Sequence, residues 1–352
     1  MAVVNDSNRP KRSISSNRQE QRVGWLMASP AIFLMLSFLI IPFFMAFGFA
    51  FTNQRLISPN PTEYVGLRNF KRLLTIRTLA VDPIINEETG EFELDEDGNR
   101  TYPRMRTFTR NNPDYPELDG LQEWFKWERS DDALVFLAGD AVFMKGLRNT
   151  IVFMLTVVPI QGGLGLILAL IVNQKIRGVN AFRTIYFMPV VVSMVILSIL
   201  WSFIYDGNNG LLNNLLGLIT FGNFEPVDWL GNPETALGAI TGMSVWQGVG
   251  FHMVIWLAGL QTIPAVLYEA ADVSGANWWQ KFRYVTWPGL HNTFVFVLIT
   301  ITMSAFGLFV QPDIMTRGGP LDSTTTVIHQ MIQRGYAKQD IAYGSAISVF
   351  FF

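Results

Sequence analysis

Long stretches without any ionisable side chain constrain the fold of this chain more than any other feature. Residues 23–54 contain no Asp, Glu, Lys, Arg or His over 32 positions, and residues 149–174 and 184–205 are also free of all five. A helix needs about 20 mostly apolar residues to cross the hydrocarbon core of a membrane. These stretches therefore predict a protein that crosses a membrane several times.

The charged side chains are concentrated in one region. Residues 52–143 hold 17 acidic and 11 basic side chains, which is 28 of the 54 charges in the chain. The net charge is −2 and no basic face accumulates, so a nucleic-acid-binding protein is excluded. The absence of Cys excludes disulfide frameworks, zinc–thiolate sites and thiol nucleophiles. We expect a polytopic membrane protein that carries one polar insertion.

The apolar segments predict an all-α fold with six transmembrane helices. The first apolar core is about twice as long as that of a signal peptide, so we expect it to be retained as a helix. The last segment stops after 12 residues, and we expect the chain to end inside an incomplete helix, with a re-entrant segment as the alternative. The predicted spans are residues 25–51, 150–172, 185–205, 237–261, 293–312 and 341–352.

Basic residues flanking the spans predict the orientation. Lys and Arg are enriched in the first 22 residues and recur in the loops after the second and fourth spans, which are alternate loops. Short cytoplasmic loops carry an excess of these residues. We therefore place the N-terminal tail, residues 1–22, in the cytoplasm and the C-terminus on the same side.

The remaining boundaries follow from this orientation. The first transmembrane helix takes residues 23–54, an extracytoplasmic loop takes 55–143, and its polar insertion takes 75–140. The other helices lie in a core of residues 144–352. Within the insertion, residues 86–100 predict a short hairpin or a mobile loop, and Leu121, Trp124 and Phe125 stand at helical spacing. The insertion is either a solvated decoration or a docking surface for an external partner.

The loop of residues 263–290, between the fourth and fifth spans, has the clearest local signals. Pro264 suits the start of a helix, Gly275 suits its end, and Asn277 can cap a second helix. The product is a helix–turn–helix on the membrane surface. It is either a lever that transmits force from another protein or an ordinary amphipathic loop.

This loop resembles the Glu-Ala-Ala (EAA) loop of binding-protein-dependent ABC importer permeases. The family pattern is Glu-Ala-Ala, three residues, Gly, nine residues, Ile-x-Leu-Pro. Val285 and Trp287 stand where the family has Ile and Leu. The matching residues are Glu269, Ala270, Ala271, Gly275 and Pro288.

Two further segments narrow the resemblance. Residues 186–206 and 314–326 look like the third span, and the loop after the fifth, of the carbohydrate-uptake branch of this family. The chain resembles the first permease subunit of the maltose/trehalose/glycerol-3-phosphate type over residues 20–74 and 141–352. The maltose-type subunit has a large external loop at the place where this chain has its insertion. The insertion shows no sequence match to that loop, so the resemblance extends only to its position in the chain.

The resemblance implies a complex in the bacterial inner membrane. It would contain a second, homologous permease as heterodimer partner, two ABC ATPase subunits and an extracytoplasmic solute-binding protein. The EAA loop would be the coupling helix that seats in an ATPase subunit. This chain has no GxxxxGK[ST] phosphate loop, so it should bind no cofactor itself. We predict no catalytic residue and no metal site here, with ATP and Mg held by the ATPases.

The resemblance also implies a solute path at midmembrane, where aromatic and polar side chains would contact a sugar or a sugar-like compatible solute. Helix–helix packing is the alternative role for each residue. Several positions that hold an asparagine or a tyrosine in the maltose type hold other residues in this chain. The implied path residues are Ser193, Met194, Ser244, Trp246, Gln247, Gly248, Phe251, Thr302, Ser304 and Phe306.

Two other functions stay open at this point. An importer of glycerol-3-phosphate or another polyol derivative would need cationic side chains near its path. The complete spans contain none, so the partner subunit would have to supply them. An ion-coupled secondary transporter would need buried ionisable groups. His252 is the one ionisable side chain inside a complete span, either as a proton relay or as an interior hydrogen-bonding residue.

Overall fold

A computed structural model describes residues 14–86, 91–95, 98–174 and 178–352 of the protein. These residues are mainly helical. π-helical turns at Leu36–Ile40 and Phe282–Thr286 join α1 to α2 and α11 to α12, and another at Gln333–Ala337 follows α15. The helices are α1 (Ile14–Met35), α2 (Ile41–Phe49), α3 (Arg68–Leu74), α4 (Arg106–Thr109), α5 (Ala141–Val172), α6 (Val179–Val191), α7 (Met194–Ile204), α8 (Leu211–Ile219), α9 (Ala236–Gln261), α10 (Ala265–Val273), α11 (Trp278–Lys281), α12 (Trp287–Gly289), α13 (His291–Phe306), α14 (Val310–Met315), α15 (Val327–Ile332) and α16 (Ile341–Phe351).

The helical segments agree with a polytopic membrane protein. Within the described residues, four stretches are long and apolar enough to cross a membrane: residues 20–49, 141–172, 236–261 and 291–315. The pair α6 and α7 makes a fifth if it is taken as one broken crossing, and α16 is a shorter apolar helix of 11 residues. The predicted helical membrane fold is thus confirmed, with four or five candidate crossings of full length.

The third predicted span is not one straight helix. α6 and α7 are bent by 100° at Val192 and Ser193, whose backbones are extended. Pro189 lies inside α6 and has no N–H to donate, which weakens the helix just before the break. The prediction of one continuous helix over residues 185–205 is therefore wrong.

α9 is the central helix of the molecule. It packs most extensively against α5 and also contacts α6 and α13. Phe153 and Val157 from α5, Met253 and Trp256 from α9, and Ile301 from α13 form part of one buried apolar cluster. The Trp256 indole Nε1 donates to the Gly162 carbonyl of α5 at 3.0 Å, so a side-chain hydrogen bond also joins the two helices.

Glycine allows α9 to approach its neighbours closely. A Cβ atom at Gly250 would overlap the Tyr186 carbonyl of α6, and one at Gly248 would overlap the Gln161 amide of α5. Small residues at helix crossings let backbones meet in membranes, where apolar burial gives no net drive for association. Two glycines two residues apart thus seat α9 against two different helices.

The polar insertion contains a three-stranded antiparallel sheet. Its strands are β1 (Ile76–Val81), β2 (Gln122–Glu128) and β3 (Ala133–Ala138), in the order β1-β3-β2. The small core of this lobe consists of Val81, Leu118, Leu121, Val135 and Leu137.

The sheet corrects two predictions: the fold is not all-α, and residues 121–127 do not form a helix. The register between β2 and β3 shifts between Glu123 and Phe125. Such a bulge interrupts the alternation of side chains along a strand. The irregular spacing of Leu121, Trp124 and Phe125 therefore imitated a helical period.

A hairpin-like pairing is present in the described part of residues 86–100. Ile85 forms an antiparallel bridge with Phe92, and Leu94 forms one with Arg100, whose guanidinium lies 4.4 Å from the Phe92 ring centroid. Residues 87–90 and 96–97 of that prediction lie outside the described residues. The hairpin interpretation is confirmed for the residues that pair.

A buried charge cluster joins the lobe to the helices. Asp140 lies two residues after the end of β3, is 1% exposed, and caps α5 by accepting from the Phe143 N–H at 3.0 Å. Its other carboxylate oxygen accepts from Arg334 at 3.1 Å and from the Tyr343 hydroxyl at 2.9 Å. Arg72 of α3 covers the Tyr343 ring at 4.4 Å. The cluster therefore links α3, α5 and α16 at the base of the lobe.

Candidate functional site

A cavity of about 390 Å³ lies between α5, α9, α13 and α14, next to the break between α6 and α7. It lies beside the buried cluster around α9. The described residues that line it include no Asp, Glu, Lys or Arg. They are Phe153, Val157, Gln161, Val190, Met194, Ser244, Gln247, Gly248, Phe251, His252, Ile301, Ser304, Ala305, Gly307, Leu308, Val310 and Gln311.

Helical spacing on α9 explains how its polar side chains reach the cavity together. Positions 244, 247, 248 and 251 follow the i, i+3, i+4, i+7 pattern of one helix face. Ser304 on α13 and Met194 at the start of α7 line the same space. The structure thus brings together Met194, Ser244, Gln247, Gly248, Phe251 and Ser304 of the implied path.

The other four implied path residues do not line this cavity. Trp246 lies against Trp201 of α7, with ring centroids 5.3 Å apart, and Phe306 lies against Phe351 at 5.5 Å. Ser193 occupies the exposed position before α7, and Thr302 is half-buried elsewhere on α13. In this chain, Trp246 and Phe306 make helix–helix contacts.

The structure adds a pair of polar residues that the sequence reasoning did not connect. Gln161 of α5 and His252 of α9 are both buried, and the Gln161 Nε2 lies 2.8 Å from the His252 Nδ1. The same Nδ1 lies 3.0 Å from the Gly248 carbonyl, while Nε2 has no hydrogen-bond partner among the described residues. Because the described cavity lining holds no carboxylate, this geometry supports a hydrogen-bonding role for His252 rather than a proton relay.

Gln311 also lines this cavity, and it was not among the residues expected from the sequence. It is buried at the start of α14, and its Nε2 donates to the Ser244 hydroxyl at 3.4 Å. Gln161 and Gln311 are amides within or beside apolar segments, where polar side chains are costly and concentrate at functional positions. That signal was present in the sequence for both residues.

The chemistry of the cavity suits a neutral solute with many hydroxyl groups. Amide and hydroxyl side chains can both donate and accept hydrogen bonds. Phe153 and Phe251 add aromatic surface, and no formal charge faces the space from the described lining. An anionic solute would find no cationic partner there.

The loop after α9 has the predicted helix–turn–helix structure. α10 ends at Val273, and Gly275 two residues later has φ +72°, in the left-handed region that favours glycine. The Asn277 side chain accepts from the Gln280 N–H while Gln280 reaches back to the Asn277 N–H, which is a complete capping box. The local prediction is therefore confirmed, and the turn depends on Gly275 and Asn277.

α10 exposes a face on which valines flank Glu269. Val266 is 68% exposed and Val273 is 92% exposed, and Glu269 and Ala270 lie between them on the same face. Ala271 is half-buried. No other part of the described chain covers Val266 and Val273 on this face.

The same loop is firmly attached to the buried cluster of the spans. The Tyr268 hydroxyl lies 3.0 Å from the Thr286 hydroxyl, and an ion pair joins Asp272 to Lys281. Ile263 before α10 and Leu290 after α12 are both buried in the cluster around α9. Pro288 lies in the first turn of α12. Buried side chains thus connect the loop that holds α10 to α9 and α13.

Comparisons with known proteins agree with this architecture. The chain is 28% identical to the trehalose/maltose transport system permease protein MalF of Thermococcus litoralis, over 95% of this chain and 90% of that protein. It is 34% identical to the xylose/arabinose import permease protein XacH of Haloferax volcanii, over 67% and 70%. It is 35% identical to a probable ABC transporter permease protein of Pyrococcus horikoshii, over 60% and 72%.

A solved structure shares the fold. It is a chain of a bacterial ABC transporter involved in the import of the acidic polysaccharide alginate, with a TM-score of 0.67 and 18% identity over 96% of this chain and 92% of that chain. Residues 161–352, which hold α9 and the α10–α12 loop, match the family model of the binding-protein-dependent transport system inner membrane component. The chain therefore belongs to this family of ABC transporter permeases.

Proposed function

We propose that the chain is one permease subunit of an ATP-driven, binding-protein-dependent importer of a sugar or sugar-like solute. The observation that carries this proposal is the cavity between α5, α9 and α13, which presents amides, hydroxyls and aromatic rings without a formal charge. The relatives support the same solute class, because their names describe import of trehalose and maltose or of xylose and arabinose.

The proposed complex follows the family. This chain pairs with a second permease, so that each supplies half of the translocation path, and two ATPase subunits hold ATP and Mg on the cytoplasmic side. An extracytoplasmic solute-binding protein delivers the solute. A solved complex of the related alginate transporter contains its periplasmic binding protein, which supports this partner.

The proposed topology has six spans with a cytoplasmic N-terminus in the bacterial inner membrane. The broken helix α6–α7 serves as the third span and α16 as the start of the sixth. The β1–β3 lobe then faces the extracytoplasmic side, where the binding protein arrives.

Coupling to ATP hydrolysis is assigned to α10. Its exposed face, with Val266, Glu269, Ala270 and Val273, docks into a groove of an ATPase subunit. Glu269 provides a charge for a basic partner, and the small side chain of Ala270 permits close approach. The attachment of the loop to α9 and α13 transmits the closure of the ATPases to the walls of the cavity.

Uptake by the assembled complex tests the proposed solute class. The complex is reconstituted in liposomes with its binding protein and assayed with radiolabelled trehalose, maltose, lactose, xylose and glycerol-3-phosphate. We expect ATP-dependent uptake of at least one of the four sugars and none of glycerol-3-phosphate. Uptake of glycerol-3-phosphate alone, or uptake that needs an ion gradient and not ATP, would refute the proposal.

Variants of the loop test the coupling role. Glu269→Lys reverses the charge on the docking face, and Gly275→Pro forbids the positive φ of the turn. We expect either change to lower uptake by about tenfold or more, because loss of a charged contact at an interface typically costs 2–5 kcal/mol. Glu234→Lys, at an exposed acid just before α9, is the matched control and should leave uptake unchanged. Normal uptake by a Glu269→Lys, Gly275→Pro double variant would exclude this role.

A further inference from the structure

α8 is a short helix in the connection between α7 and α9, and it carries no charge. Residues 207–224, which include all of α8, contain no Asp, Glu, Lys, Arg or His. The helix has nine residues, whereas a helix needs about 20 to cross the hydrocarbon core of a membrane. α8 is therefore too short to span a membrane, although its sequence is mostly apolar.

One face of α8 is covered by no other part of the described chain. Leu211, Leu215, Leu218 and Ile219 are all exposed, and Leu218 is 75% exposed. Their spacing of i, i+4, i+7 and i+8 places them on the same side of the helix. Asn214 shares this side, and its amide donates to a backbone carbonyl just before the helix. Contact of such a face with water is unfavourable.

The opposite face of α8 is fixed to the loop that leads into α9. Asn213 is buried, its Nδ2 donates to the Val227 carbonyl at 2.9 Å, and its Oδ1 accepts from the Trp229 Nε1 at 2.8 Å. The Trp229 ring lies near the Tyr205 ring at the end of α7, with centroids 6.4 Å apart. Because α9 begins at Ala236, these contacts hold α8 beside the start of α9.

This attachment places α8 at the boundary of the membrane. α9 is one of the full-length candidate crossings, so the chain enters the membrane where α9 begins. α8 also adjoins α7, whose residues Ile196, Ile199, Leu200 and Phe203 form an exposed apolar face at helical spacing. The uncovered face of α8 thus belongs to a helix that neighbours two membrane-embedded helices.

The turn after α8 presents one more apolar side chain. Phe221 has φ +53°, a backbone conformation that is uncommon for a bulky residue. Gly222 follows with φ +84°, and its N–H donates to the Gly217 carbonyl at 2.7 Å, which closes the end of the helix. The Phe221 side chain is 93% exposed, so its ring touches almost nothing else in the described chain. A ring held in this way suits a neighbour outside the chain.

We propose that α8 is an interfacial helix, which lies in the surface of the bilayer and inserts its apolar face and Phe221 among the lipid chains. Leucine and phenylalanine are typical of the lipid-facing side of such helices. Because residues 207–224 hold no charge, the apolar face alone supplies the affinity for lipid. The contacts of Asn213 and Trp229 then fix the depth of the start of α9. The inference goes beyond the proposed function, since it does not depend on the solute.

Depth-dependent quenching tests the interfacial helix. The chain has no Cys, so a bimane label can be placed at one position at a time, by Leu218→Cys or Phe221→Cys. The chain is reconstituted, alone and in the assembled complex, in liposomes of phosphatidylethanolamine and phosphatidylglycerol. Spin-labelled lipids carry a nitroxide either near the headgroup or near the end of the acyl chain. Trp127→Cys, at an exposed ring of β2 between a lysine and a glutamate, is the matched control.

We expect the labels at positions 218 and 221 to be quenched more by the nitroxide near the headgroup, because an interfacial helix inserts only about 5–10 Å. The label at position 127 should be quenched by iodide in the water and by neither lipid. Leu215→Asp should lower lipid quenching of the position 221 label by about twofold or more, because burial of an unpaired charge is unfavourable. Leu215→Met keeps the face apolar and should leave the quenching unchanged.

Two results would overturn the interfacial helix. Iodide quenching at positions 218 and 221 as strong as at position 127 would show that this face lies in water. Lipid quenching that is present in the chain alone and lost in the assembled complex would show that another subunit covers α8. Neither result involves solute uptake, so the liposome uptake assay tests the proposed function separately.

Discussion

In a water-soluble protein, the more apolar of two helices is usually the more deeply buried. Two long helices of this chain show the reverse relation between apolar character and burial. The N-terminal helix, α1 continued through the π-helical turn into α2, is the more apolar, yet none of its membrane-length stretch is buried against the rest of the chain. α9 is less apolar, and most of its length is buried. In a lipid solvent, strong apolar character marks contact with lipid or with another subunit, whereas small and polar residues mark the interior.

The physical reason is that lipid removes the usual advantage of burying apolar side chains. Helices in a membrane associate through close packing and hydrogen bonds instead. α9 supplies both, with Gly248 and Gly250 at its crossings and Ser244, Gln247 and His252 towards the cavity between α5 and α13. The N-terminal helix has no ionisable residue from position 23 to its end. Three matched pairs of substitutions test this contrast.

The largest difference is expected between two methionines. Met253 of α9 is fully buried, whereas Met27 of α1 is 78% exposed. Met253→Ala leaves a cavity and should lower the free energy of unfolding by about 2 kcal/mol or more, while Met27→Ala should change it by less than about 0.5 kcal/mol. Titration of the purified chain with SDS in mixed micelles measures both values. Equal losses would show that the chain covers both helices alike.

A glycine pair should give the next largest difference. An added Cβ at Gly250 overlaps the Tyr186 carbonyl, whereas Gly48 of α2 has no atom within 4 Å of that position. Gly250→Ala should therefore destabilise the chain by roughly 1–3 kcal/mol through overpacking. Gly48→Ala should be neutral or stabilising, because alanine favours a helix by up to about 1 kcal/mol. The same SDS titration applies, and a tolerated Gly250→Ala would contradict the close approach of α6 and α9.

The smallest difference is expected for two tryptophans. Trp256 donates to the Gly162 carbonyl, and Trp25 is 70% exposed on α1. Trp256→Phe keeps an aromatic ring and loses the hydrogen bond, so a loss of about 1 kcal/mol is expected. Trp25→Phe should have no effect on the isolated chain. Destabilisation by Trp25→Phe that appears only in the assembled complex would identify a face that the proposed second permease covers.

The membrane-spanning helices could be predicted from the sequence because the absence of charge that indicates them is a property of each segment by itself. Charge is expensive in lipid, so uninterrupted stretches such as residues 149–174 indicate spans without knowledge of their neighbours. Gly275 also indicated the turn after α10, and Asn277 indicated the N-cap of α11. Both predictions succeed because each residue determines the conformation or hydrogen bonding of the backbone beside it. These are the features that the structure confirms.

The features that could not be predicted depend on distant partners. Gln161 and His252 are 91 residues apart, and only the packing of α5 on α9 brings them together. The bulge in β2 exists only relative to β3, so Trp124 and Phe125 resembled a helical pattern. Trp246 and Phe306 pack against Trp201 and Phe351, contacts that no local pattern indicated, and their place in the solute path stays a prediction.

The Asp140 cluster fixes the lobe to the start of α5, so the lobe should follow any movement of that helix. Only Gly139 and Asp140 separate β3 from α5, so no flexible linker intervenes. The carboxylate is held from three directions, by Phe143, Arg334 and Tyr343. A small tilt of α5 must then appear as a larger displacement at the tip of the lobe. A fluorophore placed on β2 would report whether the lobe turns together with α5, which forms one wall of the cavity beside α9.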